Sequence, residues 1–206
     1  MSDSIKVFGN VGSPYTQKIL ALLRYRNISY TVSWGDVVQN LSLLDIDPPK
    51  PVLLPTMVFS DGDNKKIAKT DTTPIIRELE DIYENKSVIP LSPVLNFLNY
   101  LLEDFADEWT TKYMFHYRWY FDQDAENAKK MLVLQHKINI DDESMEQFSD
   151  IIANRQINRL WVVGSNSDTA NLIDQSYKRY LSLMEKHLKC LPFMFGQRPS
   201  SSDFAL

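Results

Sequence analysis

A chain of 206 residues with 44% hydrophobic and 24% charged side chains has enough apolar material for one sizeable core or two modest ones, which excludes a disordered protein. Its formal charge of -5, with 22 Lys and Arg dispersed among 27 Asp and Glu, leaves no basic stripe to neutralise phosphates. No window approaches the ~20 apolar residues of a membrane-spanning helix, MSDSIK leads straight into an apolar strand without a leader-like region, and the single Cys190 with three scattered histidines offers neither an internal disulfide nor a typical zinc site. The expectation is a cytoplasmic protein with no bound metal, no nucleic-acid partner and no membrane partner.

In chain order, Ile5-Lys6-Val7-Phe8 reads as a short strand. The chain breaks at Gly12-Ser13-Pro14, where Ser before Pro is a helix-start signature, and resumes at helical spacing through Ile19, Leu22, Leu23 and Arg26. Ile28, Tyr30, Val32 and Trp34 then alternate with polar residues as in a half-buried strand, completing a βαβ unit. After the irregular DIDPPKPVLLP come Met57-Val58-Phe59, the turn SDGDNKK around Gly62, and Ile67-Ala68, a hairpin. A helix with Ile75, Ile76, Leu79, Ile82 and Tyr83 on one face follows, with Asp71-Thr72-Thr73 ahead of it as cap candidates.

Residues 1–84 therefore form an α/β unit of order βαβ–ββα, NKSVIPLSP over 85–93 is the linker, and 94–206 is all helical. Helical spacing runs through 94–120, 143–163 and 169–191, most cleanly in Ile173, Tyr177, Tyr180, Leu181, Met184 and Leu188. RQINRLWVVG reads as an amphipathic helix ending at a glycine cap, with Arg155 and Arg159 one turn apart on a solvated or ion-paired face. Ser200 and Asp203 make a capping box before Phe204-Ala205-Leu206, a helix that begins and has no length, so a further C-terminal segment is expected.

Four stretches carry a family resemblance by their order and spacing: Ser13-Pro14-Tyr15 opening the first helix, Leu54-Pro55-Thr56 before the third strand, Asp71-Thr72 before the third helix, and Gly196-Gln197-Arg198-Pro199-Ser200 through Asp203-Phe204-Ala205-Leu206. Over residues 5–206 the chain resembles the soluble glutathione transferase superfamily, in a serine-type, bacterial-like form. The resemblance implies a thioredoxin-like domain that binds glutathione as co-substrate, an all-helical domain that completes the pocket for a small apolar electrophile, and a symmetric homodimer. It makes Pro55 a cis-proline whose predecessor Leu54 offers its backbone to glutathione, and it gives the γ-glutamyl end to Asp71 and Thr72, where the family usually has Glu or Gln and then Ser. Lys50 and Gln39 are candidates for the glycyl carboxylate.

Glutathione needs its thiol ionised, and a free thiol of pKa ~8.5 is mostly protonated at neutral pH. A helix N-terminus with unpaired N–H groups and a hydroxyl donor favours the thiolate, which makes Ser13 the first candidate and Tyr15 the second; the same Ser13 also fits a plain helix cap. Phe8 stands where tyrosine-type classes carry Tyr, and Ser13 where cysteine-type classes carry Cys, so a mixed disulfide is ruled out at this position. Trp109, Tyr113, His116, Tyr117, Trp119 and Tyr120 crowd one long helix; Tyr113 and Tyr117 are the preferred lining of the second-substrate pocket, with His116 a candidate general base. The expected function is transfer of glutathione to a small electrophile. The alternatives are a non-catalytic module of the same fold that binds a ligand or a protein, and a glutathione-dependent isomerase.

Overall fold

The structure is a computed structural model that describes residues 4–60, 65–136 and 139–206. Four strands and three helices alternate first: β1 Ile5–Gly9, α1 Pro14–Tyr25, β2 Tyr30–Trp34, α2 Val37–Ser42, β3 Thr56–Ser60, β4 Lys66–Lys69 and α3 Thr72–Ile82. The strands form one sheet in the order β2-β1-β3-β4, with β1 parallel to β2 and antiparallel to β3, and β3 antiparallel to β4. The expected βαβ–ββα unit is this thioredoxin-like sheet with one addition, the short helix α2 between β2 and β3. The turn around Gly62 lies outside the described residues.

Strand alternation sorts the core to both faces of the sheet. Val7, Met57 and Phe59 pack with Ile19, Leu22 and Leu23 of α1 and Ile75, Ile76 and Leu79 of α3. Phe8 and Val58 point the other way, onto Val37 and Leu41 of α2 and Ile46. Full burial of each large apolar side chain is worth about 1.5–3 kcal/mol, so both faces of the central strands are held.

The second half is helical: α4 Pro93–Phe105, a π-helical turn Ala106–Thr110, α5 Thr111–Trp119, α6 Asp122–His136, α7 Asp142–Ile157, a 3-10 turn Leu160–Val163, α8 Ala170–Leu188 and α9 Ser201–Ala205. Three differences from the sequence reading have physical reasons. The helix expected over 94–120 contains the π-helical turn, at which the hydroxyls of Thr110 and Thr111 donate back to the carbonyls of Ala106 and Asp107 at 2.5 and 2.7 Å. The helix expected to run to Gly164 stops at Ile157; Leu160–Val163 forms a separate 3-10 turn closed by Gly164 at φ 71, and the next residue, Ser165, is held against α5 by a 2.7 Å hydrogen bond with His116. Helix α6 is not apparent from the sequence because its buried face, Ala125, Ala128, Lys129 and Val133, holds one large apolar residue in four.

The segment between α3 and α4 is pinned to both halves. Val88 is buried, its N–H donates to Glu80 Oε1 at 3.1 Å, and its carbonyl accepts from Ser201 N at 2.8 Å. Buried Arg26 at the end of α1 pairs with Glu80 at 2.7 Å and donates to the carbonyls of Tyr83 and Asn85. Among the described residues no helix is long and apolar enough to cross a membrane.

Candidate active site

The site begins with Gly9 at the end of β1. A Cβ there would sit 2.5 Å from Thr16 Cγ2, so only glycine lets the first turn of α1 approach the strand this closely. Buried Thr16 accepts from Asn10 N at 3.3 Å, Asn10 Oδ1 accepts from Gly12 N at 3.2 Å, and the Asn10 carbonyl accepts from Ser13 N at 3.0 Å. This loop sets Ser13 as the N-cap of α1, with Pro14 in the first helical turn. Ser13 Oγ accepts from Thr16 N at 3.3 Å, and among the described residues its own hydroxyl hydrogen has no acceptor. Capping uses a lone pair and leaves the proton free, so the cap and the donor roles coexist in one side chain.

Tyr15 differs. Its hydroxyl donates to the Asp107 carbonyl in the π-helical turn at 2.7 Å, and burial, reinforced by the nearby Asp107, Glu108 and Asp71 carboxylates, pushes its pKa above the ordinary phenol value even though Thr111 opposes it.

The Leu54–Pro55 peptide is cis, as is Lys50–Pro51, and Pro55 is buried. Asp71 caps α3 by accepting from Thr73 N at 3.1 Å, and its backbone stands at φ 74, ψ 113, a region that side-chain-bearing residues avoid. Such strain costs about 1–3 kcal/mol and gathers at functional sites.

A cavity of about 950 Å³ brings Ser13, Tyr15, Leu54, Asp71 and Thr72 together, with Asn10 and Gly12 beside them. Gln39 and Lys50 do not line it; Gln39 sits on α2 and Lys50 is exposed. The second half closes the cavity with Tyr100, Asp104, Asp107, Phe115, Arg118, Trp119, Ile152 and Arg155 among others. Tyr113 and Tyr117 do not line the Ser13 cavity itself but an adjoining one of about 1130 Å³, with Tyr177 and Tyr180; the two cavities share Pro14, Met114 and Arg118. Tyr113 bonds Ser176 at 2.7 Å, while Tyr117 donates to Asp174 at 2.9 Å and is pushed up to about 12 by burial and by that carboxylate. His116 lines neither cavity. It is 1% exposed, stacks on Tyr120 and bonds Ser165, and burial lowers its pKa against the opposing Asp174; the candidate base lies in the core, on neither cavity.

Asn10, Asp107 and Arg118 were not singled out from sequence. Asn10 had a readable signal, an Asn two residues before a Gly in a turn. Arg118 had none: its Nη1 donates to the Gly12 carbonyl at 3.2 Å, a contact spanning more than a hundred residues, and burial pushes its guanidinium below the usual range. Asp107 belongs to a buried ion network under the cavity. Lys18 lies 2.6 Å from Asp107 and 2.9 Å from Glu103, Arg77 lies 2.7 Å from Glu103, and Ser201 Oγ donates to Glu103 at 2.6 Å.

Residues 12–82 match the family model for the N-terminal domain of glutathione S-transferase. Solved structures resemble the chain over nearly all its length. The beta-etherase LigF from Sphingobium sp. strain SYK-6 matches with a TM-score of 0.64 at 15% identity, covering 98% of this chain and 80% of that one. FzlA from C. crescentus matches with a TM-score of 0.62 at 14% identity, over 98% and 74%. A theta class glutathione S-transferase from Xanthomonas axonopodis pv. citri, with glutathione bound, matches with a TM-score of 0.52 at 14% identity, over 98% and 78%. No curated protein sequence matches the chain. At these identities the structural likeness speaks for the fold alone.

Proposed function

We propose that the chain, whose residues 12–82 match the N-terminal domain of glutathione S-transferase, is a member of the soluble glutathione transferase superfamily that binds glutathione in the Ser13 cavity and transfers its thiolate to a small electrophile. In this reading the cysteinyl part runs along the backbone at Leu54, the γ-glutamyl end meets Asp71, Thr72 and the first turn of α3, and the sulfur lies over the first turn of α1. The thiol proton leaves to solvent, the sulfur attacks, a carbon–sulfur bond forms, and the displaced group departs with its bonding electrons. The helix N-terminus, the Ser13 hydroxyl and the nearby Arg118 guanidinium all favour the anionic sulfur.

The observation that carries this reading is Ser13 with its lone pair engaged in the cap and its proton unengaged, facing the same cavity as Leu54, Asp71 and Thr72. Tyr15, whose hydroxyl is held by Asp107, takes the role of a strut between α1 and the helical half. The second-substrate wall in the Ser13 cavity is Phe115, Trp119, Leu132 and Ile152, with Tyr113 and Tyr117 on the adjoining cavity. The working unit is a homodimer joined through the exposed apolar face of α4. Calorimetric titration with glutathione and with an S-alkyl glutathione tests the binding step directly: millimolar or tighter binding of both is expected, and binding of neither removes the proposal.

A further inference from the structure

Charge is sorted by element around the Ser13 cavity. The carboxylates on its lining, Asp71, Asp104, Asp107 and Glu108, come from the start of α3 and from α4 with its π-helical turn. The cations, Arg118, Arg155 and Arg159, come from α5, the last turn of α7 and the residue ahead of the 3-10 turn. Among the described residues none of these three arginines forms an ion pair; Arg118 is half-buried, and Arg155 and Arg159 are exposed to the solvent that fills the cavity. Among the described residues Arg118 donates to the Gly12 carbonyl and to no carboxylate. A cation at the end of α7 complements the helix dipole, which accounts for Arg155 but not for Arg159, beyond the helix, or for Arg118 on another one. The chain carries a net charge of -5, so this is no sample of a generally basic surface.

Between the arginines the wall is apolar: Phe115, Trp119, Leu132 and Ile152 belong to one packed cluster and share the cavity lining. An apolar floor bordered by unpaired guanidinium groups suits a flat body bearing an oxyanion, because guanidinium presents its donors in a fork that matches two oxygens. Building on the glutathione-transfer reading, we propose that the second substrate is an aromatic electrophile bearing an oxyanion, carboxylate, sulfonate or phosphate, with its ring on Phe115 and Trp119 and its anion held by Arg155 and Arg159. Arg118, beside the Ser13 turn, serves the sulfur end.

The test uses 4-nitrobenzoate and its neutral counterpart 4-nitrobenzamide, titrated calorimetrically at low salt into the wild-type chain and into the Arg155→Gln/Arg159→Gln double variant, with glutathione titrated in parallel. The wild type is expected to bind the benzoate about tenfold more tightly than the benzamide, and the double variant to bring the two within about twofold without moving the affinity for glutathione. Equal binding of the two probes by the wild type, a preference that survives in the double variant, or binding of neither probe overturns the inference. Because the probes need no glutathione, a wild type that discriminates between them but does not bind glutathione leaves the anion wall standing and sinks the transfer reading; the reverse result sinks the wall alone.

Discussion

Ser13 and Tyr15, two residues apart, are separated in role by what each hydroxyl already holds. If Ser13 donates to the bound sulfur, Ser13→Ala should raise the pKa of bound glutathione and lower turnover by about ten- to a hundredfold near neutral pH, the loss of one hydrogen bond to a charged group worth roughly 1.5–3 kcal/mol. The deficit should close as pH rises, since the thiol then ionises unaided. Tyr15→Phe should leave that titration in place and cost about 1 kcal/mol of stability, because its hydroxyl bonds the Asp107 carbonyl. A thiol titration moved by Tyr15→Phe and not by Ser13→Ala would reverse the assignment. Asp71 gives a second case. Its backbone at φ 74 is strained, and glycine costs an N-cap only a few tenths of a kcal/mol, so Asp71→Gly should hold or raise the melting temperature while weakening glutathione about tenfold. Loss of stability without loss of affinity would make Asp71 a cap and nothing more.

Among the elements, α1, α3, α4 and α9 meet at the buried network around Glu103, and its two carboxylates behave differently. Burial works against the Glu103 carboxylate, but Lys18, Arg77 and the Ser201 hydroxyl outweigh it and hold its pKa below the ordinary value. Burial wins at Asp107, where Lys18 opposes it and Glu103 adds to it, so that pKa is raised. The signs follow. Glu103, depressed on folding, contributes stability that is present above the unfolded pKa of about 4.3 and lost as pH falls through its lower folded value; Asp107, raised, favours the fold below about 3.9 and loses that contribution as pH rises through its folded value. Glu103→Gln should therefore cost about 3–5 kcal/mol at neutral pH, stranding Arg77 and half of the Lys18 pairing. Asp107→Asn should cost only about 1 kcal/mol, since Lys18 keeps Glu103. Urea unfolding of both variants checks the order, and equal costs would contradict it.

On the scale of the whole molecule, α4 leaves Val94, Phe97, Tyr100 and Leu101 at 67, 64, 53 and 50% exposure, a stripe at helical spacing that the single chain does not cover. A symmetric pair of chains covers such a face twice over. Sedimentation should show a dimer at micromolar concentration and a monomer for Phe97→Glu, which places a charge in the seam; a wild-type monomer would count against the assembly. The cavity itself is a product of this scale, since its lining comes from both halves of the chain.

What the sequence determined by itself was whatever local chemistry encodes. Alternating Val7, Phe8, Met57 and Val58 specify a sheet buried on both faces, the capping residues Ser13, Asp71 and Ser200 stand where helices start, and the first half's order of elements, the short α2 apart, follows from periods of two and 3.6. The gathering of Ser13, Leu54, Asp71 and Thr72 on one cavity was expected from the family resemblance, not from local pattern, which by itself gave only a helix cap at Ser13 and at Asp71. Only the tertiary structure decided the rest. It engaged the Tyr15 hydroxyl at a carbonyl ninety-two residues away, set Tyr113 and Tyr117 on a cavity adjoining the Ser13 cavity, placed His116 in the core, and brought Arg118, Arg155 and Arg159 to the Ser13 cavity. The physical reason is the same throughout: these outcomes depend on the facing of one helix against another, and a single added residue in a helix turns that facing by a quarter circle or more while leaving the local pattern of apolar residues nearly unchanged.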